Sequence, residues 1–190
     1  MKPWLSMLLA ISTLTTYASC QTTPNPATMP STQSVETIVC IRHGEKPSGG
    51  LGQLTNRGLN RSLALPNVLL KKYGTPAFIF APNPSEMVDG KTGTYYNYIR
   101  PLMTIEPTAI RCDLPVNTEF GFRDIDRLES ELTQPKYANA VVFVAWEHGL
   151  LDDFAKSMLK DNGGNPKRVP PWPGDDYDTI FIFKITSNNG

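Results

Sequence analysis

The chain has 190 residues, and its 18 Lys and Arg are balanced by 18 Asp and Glu, giving a formal net charge of zero. That balance excludes a globally basic nucleic-acid binder, so any anion recognition must rest on a local cluster of arginines. The 17 prolines and 14 glycines imply long irregular connections around an ordinary core, and the length suits one domain.

Lys2, a short apolar stretch over residues 4–14 and the small residues Ala18 and Ser19 read as an export signal over residues 1–19. The stretch is too short and too diluted with Ser and Thr to span a membrane. Tyr17-Ala18-Ser19-Cys20 resembles a bacterial lipobox, which implies membrane attachment through a lipidated Cys20, although Tyr17 stands where leucine is typical. Periplasmic or lipid-anchored placement and simple secretion both stay open. Residues 20–34, rich in Thr, Pro, Ser and Asn, have the composition of a tether. The folded domain is then expected over residues 35–190. Export would permit a Cys40–Cys112 disulfide, and no Cys/His spacing resembles a zinc site.

The first strand is expected over 35–41, followed by a Gly-rich loop over 43–53. Thr55 is placed to cap a helix carrying Leu59, Leu63, Leu69, Leu70 and Tyr73 at helical spacing, with Pro66 kinking or dividing it and Gly74 ending it. A buried strand follows at 77–81. Residues 82–97 form a long connection with no apolar period; it holds Tyr95 and Tyr96, with Tyr98 just beyond, and these tyrosines are candidates either to line a cleft or to pack the loop on its own domain. A helix over 98–105 ends at Pro107, with a short strand at 108–112 and an irregular stretch at 115–122. The remaining expectations are a helix over 125–132, the strongest strand signal at 140–146, a helix over 150–160 with Leu151, Phe154, Ala155 and Met158 inside, a loop over 163–176 and a last strand over 179–185. This alternation predicts a single-domain α/β three-layer sandwich, with a mostly parallel sheet and helices on both faces.

The chain's only two histidines, His43 and His148, each follow a predicted buried strand and precede glycine. Ligands of open α/β sheets bind beyond the carboxyl ends of the strands, so parallel neighbours would bring both histidines to one rim. Arg42, directly before His43, offers a rigid fork of donors suited to carboxylate or phosphate, and a neutral imidazole is a competent nucleophile. No Walker-type Gly-Lys loop is present, which argues against a nucleotide kinase or ATPase.

Arg42-His43-Gly44-Glu45, then Leu54-Thr55-Asn56-Arg57-Gly58, then Arg100 with Thr104 four residues on, and finally His148-Gly149 resemble, in order, the elements of the histidine phosphatase (phosphoglycerate mutase-like) superfamily. The resemblance implies that His43 is a nucleophile forming a phosphohistidine. It implies that Arg42, Arg100 and His148 form the anion pocket, and that a carboxylic acid protonates the leaving oxygen without any cofactor or metal. Glu119, in Glu119-Phe120-Gly121, resembles the family's acid, and Glu147 beside His148 is the other candidate. This chain departs from the family in having Ala81-Pro82-Asn83-Pro84 after the second strand, with Arg100 displaced by a long insert. Arg111 and Arg123 are therefore alternatives to Arg100. Asn83 is a further pocket candidate, Glu45 reads as an anchor, and Lys46, Arg57 and Lys91 read as solvated charges, although Lys46 lies near enough in sequence to His43 to touch substrate.

Two functions follow. One is an exported, metal-independent phosphatase acting on a small phosphorylated substrate. The other is an inactive module of the same fold that binds a phosphorylated ligand or partner.

Overall fold

The computed structural model describes residues 33–91 and 93–188. The expected export signal, Cys20 and the tether as far as residue 32 lie outside the described residues. The first strand, β1, spans Gln33–Arg42, so the last two residues assigned to the tether belong to the sheet. After it come α1 (Asn56–Tyr73), β2 (Phe78–Phe80), β3 (Met87–Asp89), β4 (Tyr95–Asn97), α2 (Arg100–Cys112) and β5 (Val116–Asn117). The chain closes with α3 (Ile125–Leu132), β6 (Val141–Trp146), α4 (His148–Asp161) and β7 (Ile180–Asn188).

Five strands form one sheet in the order β5-β2-β6-β1-β7. β5, β2, β6 and β1 run parallel, and β7 returns antiparallel along β1. Side chains alternate across a strand. Ile38 and Cys40 of β1, with Val142, Val144 and Trp146 of β6, therefore face α3 and α4, where Leu128, Leu132, Leu151, Phe154 and Met158 close one core. Val39, Ile41, Phe143 and Ala145 face the other way and pack on Leu69, Ile105 and Ala109 of α1 and α2. The expected three-layer sandwich is the observed fold. Cys40 and Cys112 are both free thiols. Cys40 belongs to the α3/α4 core, whereas Cys112 ends α2 on the opposite face, so no bridge can join them.

Neither proline ends or divides its helix. α1 runs unbroken through Pro66, and α2 runs through Pro107 across the residues expected to form a strand at 108–112. A proline inside a helix leaves the carbonyl four residues earlier without its donor. In α2 that carbonyl belongs to Met103, and the buried Ser62 hydroxyl of α1 donates to it at 2.6 Å. The buried residues of α1 are Gly58, Ser62, Pro66 and Leu69, whereas Leu59 and Leu63 of the expected apolar face are exposed. Small residues and a hydroxyl donor replace the leucine seam. The connection over 82–97 is also more ordered than expected, because β3 and β4 pair as an antiparallel hairpin.

At the far end of β1, Glu36 is buried, with one carboxylate oxygen unpartnered, beside a cavity of about 170 Å³ lined by Thr133, Gln134 and Ile185. Burial raises its pKa to about 7. A carboxyl whose folded pKa exceeds its unfolded value adds stability below the unfolded value and loses it as pH rises through the folded one. Stability is therefore expected to fall between about pH 4.5 and 7. Glu36→Gln should stabilise the fold at pH 8, by an amount on the order of 2 kcal/mol and visible as a higher melting temperature, and change little at pH 4. Equal melting curves at pH 8 would contradict this.

Candidate active site

The Arg42↔Trp146 pairing aligns the carboxyl ends of β1 and β6, and the ladder continues one step further, with His43 N–H donating to the Trp146 carbonyl at 3.0 Å. His43 is thus seated at the end of β6, one residue from Glu147 and two from His148. Helix α4 begins at His148, two residues earlier than expected, because Glu147 caps it: Oε2 accepts the Leu150 N–H at 2.9 Å.

Behind His43 the chain is fixed by close backbone approach. A Cβ on Gly44 would lie 2.9 Å from the Gly58 carbonyl oxygen, and one on Gly58 would lie 2.5 Å from that of Glu45. The Thr55 side chain accepts from Gly58 N–H as the expected cap, while the Thr55 N–H donates to the Glu45 carbonyl. Glu45 is an anchor, as expected, with its carboxylate bound by Arg61 and Arg57. Thr104 ties this turn to α2: its hydroxyl accepts the Gly44 N–H and donates to the Arg100 carbonyl, both at 2.8 Å. The spacing of Arg100 and Thr104 is therefore one helical turn whose hydroxyl locks the loop carrying His43.

His43 is 1% exposed. Its Nδ1 lies 2.7 Å from the Gly44 carbonyl oxygen, an acceptor only, so Nδ1 carries the proton and Nε2 keeps its lone pair. Burial lowers the pKa to about 3; the Gly44 hydrogen bond opposes this, and Arg100, Arg42 and Lys46 reinforce it by repulsion. The imidazole is neutral across the physiological range.

Arg42 and Arg100 are both buried. Arg42 lies over the Tyr177 ring at 4.0 Å and donates through Nη1 to the Asp176 carbonyl at 2.7 Å, while its Nε has no partner. Arg100 lies over the Tyr98 ring at 4.6 Å, with Nε and Nη1 unpartnered. His148 Nδ1 touches Glu147 Oε1 at 2.5 Å, although the contact is too poorly aligned to count as a hydrogen bond. Burial lowers the His148 pKa, with Glu147 pulling the other way. Lys46 is exposed at the mouth, and its pKa is lowered by partial desolvation and by Arg100 and Arg42. Lys91, of the hairpin turn, adds to that repulsion. The two lysines read as solvated charges thus belong to the field of the site, whereas the mostly exposed Arg57 holds Glu45.

Glu119 is exposed, and its N–H donates to Asn117 Oδ1. The buried Phe120 anchors the segment, and Phe122, packed on Tyr98 at 4.9 Å, is what reaches the site. Arg111 bonds Asn67 on the surface, Arg123 stacks on Phe122, and Asn83 Oδ1 accepts from Ser85 in a turn, so none replaces Arg100. Tyr177 was missed altogether. Ile180 of β7 pairs with Ile41, so residues just before 180 fall beside Arg42. The signal lay in the last strand's being antiparallel beside the first, and a mostly parallel sheet did not specify that edge. Among the described residues, no group of three or more His, Cys, Asp and Glu side chains is gathered to hold a metal ion.

No protein-family model and no curated protein matches the chain. Solved structures do. A structure named Mycobacterial hydrolase 2 is 15% identical, with 83% of this chain and 85% of that chain covered and a TM-score of 0.57. A candidate alpha-ribazole-5'-P phosphatase from Escherichia coli is 13% identical, covers 81% and 94%, and scores 0.55. A mycobacterial glucosyl-3-phosphoglycerate phosphatase in complex with VO3 is 14% identical, covers 80% and 98%, and scores 0.51. The chain has the histidine phosphatase fold. At these identities the likeness is one of fold, and within the histidine phosphatase fold the roles of individual side chains rest on the geometry given above.

Proposed function

We propose that the protein is a phosphatase that cleaves a small phosphate ester through a phosphohistidine at His43. The observation that carries this reading is a set of buried donors without partners, Arg42 Nε with Arg100 Nε and Nη1, around a neutral histidine whose Nε2 is free. Buried donors are normally satisfied, and orphaned guanidinium groups ask for an anion. The neighbours named as phosphatases favour the same chemistry.

In this mechanism Nε2 attacks phosphorus as the bond to the leaving oxygen breaks, and the arginines neutralise charge on the equatorial oxygens. Glu147, at the same rim beside His148, donates a proton to the leaving oxygen. Water then attacks the phosphohistidine, freeing Nε2 and returning a proton to Glu147. Charge neutralisation by arginine makes the reaction independent of metal. Export, with Cys20 either lipidated or removed, follows from the composition of residues 1–34.

Phosphate release from an aryl phosphate by residues 21–190, measured with chelator present, tests the reading. Activity that requires added metal would overturn its metal independence, and phosphate binding without release would favour a binding module. Glu147→Gln keeps an oxygen for the cap but removes the acid. It should slow alkyl phosphates at least ten times more, on the order of one Brønsted decade, than aryl phosphates, whose leaving groups need little protonation. Equal losses on both classes would remove Glu147 from the donor's role.

A further inference from the structure

We propose that Tyr98 is a further catalytic residue, its hydroxyl donating a hydrogen bond to the phosphoryl group held over His43. The proposal rests on the phosphatase reading above. Tyr98 precedes α2 and is 1% exposed. Its ring meets His43 edge-on at 6.2 Å between centroids, carries Arg100 on one face and packs against Phe122. The ring cannot turn away, because the backbone is fixed on both sides: Tyr98 N–H donates to the Glu86 carbonyl, and the N–H groups of Ile99 and Arg100 both donate to that of Gly52. Gly52 itself has φ +75°, and a Cβ there would lie 2.0 Å from the Asn97 carbonyl oxygen.

All of this packing would be met equally by phenylalanine. The hydroxyl nevertheless is present and buried, with no well-aligned hydrogen-bond partner, although the Arg100 guanidinium reaches it. Leaving a buried hydroxyl unsatisfied opposes folding, and such groups persist where a ligand completes them. The charged groups facing it are Arg100, Glu147 and Arg42, three members of the pocket. Burial raises its pKa, so the oxygen keeps its proton and can serve as a donor.

The test uses inorganic phosphate alone, titrated calorimetrically into the wild-type chain and Tyr98→Phe, beside turnover of an aryl phosphate and thermal melts. Removing a donor to a charged oxygen should weaken phosphate binding and lower kcat/KM, each by roughly ten-fold or more. The melting temperature should hold or rise, since an orphaned group is removed. Unchanged phosphate affinity in Tyr98→Phe would overturn the proposal even if turnover fell, because the ring's support of Arg100 survives in phenylalanine. Failure of the wild-type chain to bind phosphate at all would instead sink the phosphatase reading, and this proposal with it.

Discussion

Replacing His43 by alanine is expected to abolish phosphate release, by about 10⁴-fold or more, while the protein stays folded. The loss is chemical. The side chain is neutral, and its one hydrogen bond in the structure runs to Gly44, so its removal costs about 1–2 kcal/mol of a domain's stability. Brief quenching of wild-type protein turning over a radiolabelled ester should trap an acid-labile phosphoprotein, and the variant should trap none. The pH profile adds a second check. A nucleophile with a pKa near 6.5 would lose rate below that pH. His43, held neutral down to about 3, should show no limb near 6.5 on that account. Persisting turnover in His43→Ala would end the phosphohistidine mechanism outright.

Much of this site was legible in the chain because it depends on strand ends. The run ending in Arg42-His43-Gly44 and the run ending before His148 are unambiguous buried strands, and parallel pairing alone aligns their carboxyl ends. Short-range chemistry was legible too, as in the Thr55 cap and the one-turn spacing of Arg100 and Thr104. What escaped depends on contacts distant in sequence. The continuation of α2 past Pro107 needs the hydroxyl of Ser62, 41 residues before the Met103 carbonyl that it satisfies. The Tyr177 brace on Arg42 needs β7 to lie antiparallel to β1.

Arg100→Ala is expected to have the second-largest effect, a fall in kcat/KM of about 10³-fold, on the scale of losing a principal electrostatic clamp. Arg100 contributes two of the unpartnered buried donors, and its ring support and the Thr104 bond to its carbonyl fix where they point. Arg100→Lys should recover little, since lysine keeps the charge but not the planar fork. The protein itself should lose nothing in stability, because a buried cation without a partner opposes folding until an anion arrives. Adding phosphate should then raise the wild-type melting temperature and leave that of Arg100→Ala nearly unmoved. Arg100 also repels the proton of His43, so its removal should move any limb due to His43 toward higher pH. A variant with full activity and an unchanged response to phosphate would transfer the clamp to Arg42 and Lys46 alone.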